Sequence, residues 1–124
     1  MLQDASELGF HLTPIGNGQI LLEPSQSLDV GDPGTLVVAI LERLQGLRAA
    51  TLSYDLAGLA LIDDAYCRWL ESLSNACRAI GVRMVCVRMQ PTAAFGLAQT
   101  QARLPSFATA LDVGLADSTF PDSQ

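Results

Sequence analysis

Residues Thr51 to Leu73 read TLSYDLAGLALIDDAYCRWLESL, and the change of period inside this stretch decides the fold. Thr51-Leu52-Ser53-Tyr54 alternates in a way that suits a strand, and Asp55-Leu56-Ala57-Gly58 then breaks the alternation. Leu59-Ala60-Leu61-Ile62 runs apolar up to the carboxylate pair Asp63-Asp64. Beyond that pair Tyr66, Leu70, Leu73, Cys77 and Ile80 recur at i, i+4, i+7, i+11 and i+14, the spacing of one helical face. A strand therefore delivers an apolar loop to the start of an amphipathic helix with acid at its mouth. An Asp at the cap accepts orphan backbone N–H groups and sits at the positive end of the helix dipole, which assigns Asp63 as the helix cap. The same geometry favours negative charge in general, a carboxylate or a phosphate.

Working outward, His11-Leu12-Thr13-Pro14-Ile15 and Gln19-Ile20-Leu21-Leu22-Glu23 flank Gly16-Asn17-Gly18 and read as a β-hairpin. Pro24 to Gly34 is a loop rich in Ser, Asp, Gly and Pro. It ends in Asp32-Pro33, an Asp cap followed by Pro at the first helical position. Leu36, Val37, Ile40, Leu41, Leu44 and Leu47 mark the apolar face of a helix that ends near Gly46. After the central strand and helix, Met84-Val85-Cys86-Val87 is a strand bounded by Arg83 and Arg88, and Pro91 opens a helix over Ala93, Ala94, Leu97 and Ala98. Leu104-Pro105 ends that helix, Phe107 to Leu111 is a short strand, Asp112 to Ala116 a brief helix, and residues 1–9 and 118–124 are loose tails. The order, a β-hairpin followed by αβαβαβα, predicts one α/β domain over residues 1–124. It should hold a mixed sheet of about five strands with right-handed crossovers and helices mainly on one side.

At 124 residues the chain is long enough to bury a core without disulfides or metals. Apolar content of 49% against 16% charged residues describes an ordered globule with apolar surface left for partners. The net charge of −6 argues against nucleic acid, which requires clustered cations. All seven positive residues are Arg, so a Schiff-base, P-loop or general-base lysine is excluded. Cys67 and Cys77 lie about 15 Å apart along one helix at roughly 1.5 Å per residue, too far to pair, and Cys86 completes a set read as buried reduced thiols. With one His there is no Cys–His zinc site, and neither a metal nor a cofactor is expected. MLQDASELGF carries two acids and no basic residue and does not read as a signal peptide, and no stretch approaches a membrane span. The expectation is a cytoplasmic protein without membrane insertion.

Asp63 and Asp64 are adjacent on a helix and point roughly 100° apart, so they do not form a shared two-carboxylate catalytic pair. His11 stands alone on an edge strand, and no Ser-His-Asp arrangement is readable around it. Gly16-Asn17-Gly18 precedes a strand and is a turn, not a phosphate cradle. Arg83 and Arg88 read as solvated strand ends, with an anion or subunit contact as the alternative. Trp69 divides evenly between core and contact, because Trp and Arg are enriched at interface hot spots while a Trp at helical spacing packs inward. Tyr66 goes with the core stripe.

A strand ending in Asp55-Leu56-Ala57-Gly58, four further apolar residues, an acidic pair and a helix resembles the STAS domain family of anti-sigma-factor antagonists. The resemblance is closest to the small scaffold subunit of bacterial stressosomes. It continues through Ile80-Gly81-Val82-Arg83-Met84-Val85-Cys86-Val87-Arg88-Met89-Gln90-Pro91 and Ala108-Thr109-Ala110-Leu111-Asp112-Val113-Gly114-Leu115, covering residues 11–117. It implies a non-catalytic protein that assembles with paralogous subunits and binds a serine/threonine switch kinase or an anti-sigma factor in stress signalling by partner-switching. The alternatives are a stand-alone anti-anti-sigma factor and a STAS accessory subunit of a membrane transporter. In the family the place of Asp64 commonly holds a phosphorylated Ser or Thr, so Asp64 is a phosphomimetic switch position, one negative charge against about two for a phosphate. The second switch position of larger paralogues falls near Gly96, close to Thr92 and Thr100. The family's partners dock over the start of the central helix, which marks Arg68, Trp69, Thr92 and Gly96 as candidate partner contacts.

Overall fold

The computed structural model describes residues 8–100 and 108–110. Five strands and three helices follow one another as β1 (Phe10–Gly16), β2 (Gln19–Pro24), α1 (Pro33–Gly46), β3 (Thr51–Asp55), α2 (Asp64–Ala79), β4 (Arg83–Val87), α3 (Pro91–Thr100) and β5 (Ala108–Ala110). They form one sheet in the order β1-β2-β3-β4-β5. β1 and β2 pair antiparallel through Leu12 and Leu22, and every later neighbour is parallel: Leu22 opposite Tyr54, Tyr54 opposite Cys86, Cys86 opposite Thr109. Leu36 and Ile40 of α1, Leu70 and Leu73 of α2 and Ala93 of α3 share one core cluster, which places the three helices on one face of the sheet. The mixed sheet, the leading hairpin and the one-sided helices are those expected from the order of periods.

Local chemistry explains the element boundaries. The hairpin turns at Asn17 and Gly18, both at positive φ (57° and 75°), the Asn-Gly pairing whose twist matches the strands it joins. α1 begins at Pro33, but Asp32 makes no side-chain hydrogen bond to the helix and so caps it by position only. Asp29 instead accepts the Gly31 N–H at 2.9 Å and folds the preceding loop. α2 stops where Gly81 takes φ +80° and the Val82 N–H closes back on the Cys77 carbonyl at 2.9 Å. Gly9, expected within a loose N-terminal tail, is buried instead, and its carbonyl accepts the Ser25 N–H at 2.8 Å. The expected strand at 107–111 is present as Ala108–Ala110. The expected break at Leu104-Pro105, the brief helix at 112–116 and the outer tails lie outside the described residues.

The core lies between the helices and the sheet. Leu36, Ile40 and Leu44 of α1 and Leu70, Leu73 and Cys77 of α2 pack on Leu22, Leu52, Tyr54, Met84 and Cys86, with Ala93 and Leu97 of α3 in the same cluster. The alternate strand residues Ser53, Val85 and Val87 are also fully buried. The Ser53 hydroxyl has no hydrogen-bond partner among the described residues. All three cysteines are buried, and none is in a disulfide.

Candidate functional site

The segment between β3 and α2 is fixed at the C-terminal end of the sheet by side chains from both flanking strands. Asp55 ends β3, and its Oδ1 accepts the Ala57 N–H at 2.9 Å. Arg88, just past β4, grips the same carboxylate with two donors: Nε reaches Oδ1 at 3.2 Å and Nη2 pairs with Oδ2. Arg88 holds φ +59°, a backbone state that non-glycine residues rarely adopt, and the bidentate pair helps keep it there. Arg88 is exposed, as the sequence reading of a solvated strand end expects, and the structure adds its pair with Asp55. The pair was missed because the two residues stand 33 apart and meet only when β3 and β4 align.

Two further clips act on the backbone of the same loop. Gln90 Nε2 donates to the Ala57 carbonyl at 2.6 Å, and Thr92 Oγ1 donates to the Ala60 carbonyl at 2.7 Å. The Leu56 N–H extends the β3–β4 pairing to the Val87 carbonyl at 2.9 Å, and the Leu59 N–H turns back to the Leu56 carbonyl at 3.0 Å. The junction between β4 and α3 therefore sets the course of the loop that ends at α2.

Asp63 stands in extended conformation (φ −83°, ψ 179°) as the N-cap of α2, and its Oδ1 accepts the Tyr66 N–H at 2.8 Å. Asp64 is the first residue of the helix and is exposed, its carboxylate in the first turn where the dipole favours negative charge. Arg68, one turn on, is exposed as well. Thr92 is exposed but spends its hydroxyl on Ala60, and Gly96 is half-buried with Leu61 beside it: a Cβ on Gly96 would meet Leu61 Cδ2 at 4.0 Å.

Trp69 does not belong to this surface. It is 2% exposed, and its indole Nε1 donates to the Tyr54 hydroxyl at 2.9 Å. The reading of Trp69 as a partner contact is corrected to core, because the 3.6 period turns it toward β3, where Tyr54 supplies the acceptor a buried indole needs. The Tyr54 and Tyr66 hydroxyls lie 2.6 Å apart with their rings edge-to-face. Trp69 only donates, so Tyr54 accepts from it, and the buried Tyr54 proton has Tyr66 as its acceptor. The chain runs Trp69 to Tyr54 to Tyr66, and ends where half-buried Tyr66 lines a cleft with Pro24, Gly58 and Leu59. Burial, aided by Tyr66, raises the Tyr54 hydroxyl well above its usual range, and burial pushes Tyr66 up to about 12.

Two exposed apolar side chains complete the mouth, and the sequence reading passed over both. Leu61 is 70% exposed and Phe95, on α3 next to Gly96, is 68% exposed. A signal existed for Phe95. Ala93 and Leu97 face the core at i and i+4, so residue 95 lies about 200° round the helix from Ala93 and must point outward. Among the described residues no group of His, Cys, Asp and Glu could hold a metal ion, and no helix is long and apolar enough to cross a membrane.

No protein-family model and no curated protein matches the sequence. Solved structures do match in shape. The RsbS protein of Moorella thermoacetica, in a variant with glutamate in place of a serine, superposes with a TM-score of 0.68 at 19% identity, covering 89% of this chain and 92% of that one. A chain from the molecular architecture of the stressosome, described as a signal integration and transduction hub, gives 0.70 at 18% identity over 88% and 94% of the two chains. The unphosphorylated anti-sigma factor antagonist SpoIIAA gives 0.54 at 12% identity over 93% and 99%. At these identities the likeness is one of fold: the chain has the STAS fold.

Proposed function

We propose that this chain is a non-catalytic STAS scaffold or anti-sigma-factor antagonist. It assembles with paralogous subunits and binds a serine/threonine switch kinase or an anti-sigma factor in the cytoplasm. The observation that carries this reading is the exposed Asp64 carboxylate at the first turn of α2, presented beside a loop that four side chains immobilise. Most of the other polar side chains of the mouth have structural work: Asp63 caps the helix, Asp55 and Arg88 hold each other, and Gln90 and Thr92 bind carbonyls. That pattern suits a rigid recognition surface better than a site that moves protons. Three proteins of the same fold carry names that point the same way: an RsbS with an acidic substitution, a stressosome subunit and an anti-sigma factor antagonist.

The mechanism is differential affinity. A phosphate at a helix N-terminus adds about two negative charges and shifts which partner is held, whereas a carboxylate supplies one that is never removed. With Asp64 in that place the subunit contributes a constant charge and its role is architectural. The test is affinity purification of the tagged chain from its native cells, with light scattering on the purified complex. Recovery of paralogous STAS subunits in particles far larger than a dimer, together with a kinase, is the expected outcome. Asp64→Ser should make kinase release phosphorylation-dependent. Release that already depends on the kinase and is indifferent to Asp64→Ser refutes the fixed-charge reading.

A further inference from the structure

We propose that Leu61 and Phe95 form the anchor of the partner interface, and that their occupant is a protein surface with an apolar recess bordered by arginine or lysine. The inference rests on the functional reading above and names the chemistry of the partner it leaves open. Leu61 comes from the β3–α2 loop and Phe95 from the outward side of α3, and both are about two-thirds exposed. Leu61 Cδ2 lies 4.0 Å from where a Cβ on Gly96 would stand, and Gly96 adjoins Phe95, so residues 34 apart in sequence come to the same side of the mouth. A Cβ at position 96 would make an ordinary contact with Leu61 Cδ2 at 4.0 Å, so the loop and α3 stand within side-chain reach of each other.

The patch is held in place before any partner arrives. Thr92 binds the carbonyl of Ala60, the residue preceding Leu61, and Gln90 binds that of Ala57. Little ordering entropy is then lost on binding, which is the condition under which a few apolar side chains dominate affinity. Charge selects the occupant. Asp63 and Asp64 follow Leu61 within three residues, both exposed, and Arg68 is the exposed cation of the same helix start. The whole chain carries −6, so a second copy or an anionic membrane would be repelled, while a cationic protein surface is drawn in.

The experiment places a photoreactive phenylalanine analogue at position 95 or 61 of the full chain in its native cells, with His11 on β1 and Val38 on α1 as exposed control positions. Partner peptides are then mapped by mass spectrometry. Expected is one protein crosslinked from both 61 and 95, through a segment where apolar residues adjoin Arg or Lys. Purified, that protein should lose affinity about 30-fold or more with Phe95→Ala, as for a buried aromatic anchor. Asp64→Asn should weaken it less, and less still at high salt. Attachment to an acidic segment, to lipid or to a second copy of the chain overturns the inference, as does crosslinking no stronger than at the controls. A kinase or anti-sigma factor captured only from the control positions leaves the proposed function standing and overturns this inference. A cationic partner of another kind captured from 61 and 95 does the reverse.

Discussion

Tyr54→Phe tests the packing that aims the mouth of α2. The change removes one oxygen and almost no volume, so its cost is a matter of hydrogen bonds. In the native chain the buried Trp69 N–H donates to Tyr54, and the Tyr54 hydroxyl meets Tyr66 at 2.6 Å. Loss of the oxygen leaves the indole N–H buried without an acceptor, a penalty of about 1–3 kcal/mol, and the bond to Tyr66 forfeits roughly 1 kcal/mol more. A destabilisation of about 2–4 kcal/mol is expected. With a urea m-value of roughly 2 kcal/mol/M, the unfolding midpoint falls by about 1–2 M at unchanged slope. Tyr66→Phe should cost about 1–3 kcal/mol, because it leaves the buried Tyr54 proton without its acceptor. A double-mutant cycle isolates the cause: in a Trp69→Phe background no indole donor is orphaned, and Tyr54→Phe should become about 1–2 kcal/mol cheaper. A Tyr54→Phe protein within about 0.5 kcal/mol of the parent, or a cost unchanged by Trp69→Phe, refutes the argument.

Three further outcomes are expected. Asp63→Ala removes the bond to the Tyr66 N–H and should cost about 1 kcal/mol in urea unfolding, whereas Asp64→Ser, at an exposed first-turn site, should change stability by less than about 0.5 kcal/mol. Arg48 follows the last turn of α1 at φ +55°, so Arg48→Gly should raise the melting temperature, a gain of up to about 1 kcal/mol after the entropy of glycine is discounted. Burial pushes Cys77 from 9.0 up to about 12 and Tyr66 from 10.0 up to about 12, and raises Cys86 through burial and then through neighbouring Cys67. The folded state therefore holds these protons more tightly than the unfolded one. The resulting stability is complete below about pH 9 and is lost as pH rises from there to about 12, which thermal melts across that range will register. The same burial leaves the thiols unreactive to alkylation at neutral pH until the chain unfolds.

The fold was legible because it rests on local rules. The alternation of Thr51 to Tyr54, the helical spacing of Leu70, Leu73 and Cys77, Pro33 after Asp32 and the Asn17-Gly18 turn each act over a few residues, and their order leaves one economical topology for a sheet with right-handed crossovers. The position of Asp63 and Asp64 at a helix start was equally readable, because capping is local. What surrounds them was not. Trp69 divides between core and surface until Tyr54 stands opposite it with an acceptor, and the partner of exposed Arg88 appears only when register sets it against Asp55.

The chain by itself thus determined which segments are strands and helices, and where acid meets the start of α2. Tertiary structure alone decided that Gln90 and Thr92 clip the Ala57 and Ala60 carbonyls, and that Leu61 comes within side-chain reach of Gly96 beside exposed Phe95. The physical reason is reach. Caps, turns and periodicity are governed by neighbours a few residues away, whereas a patch built from residues 61 and 95 exists only once the parallel pairing of β3 and β4 brings two distant loops to the same end of the sheet.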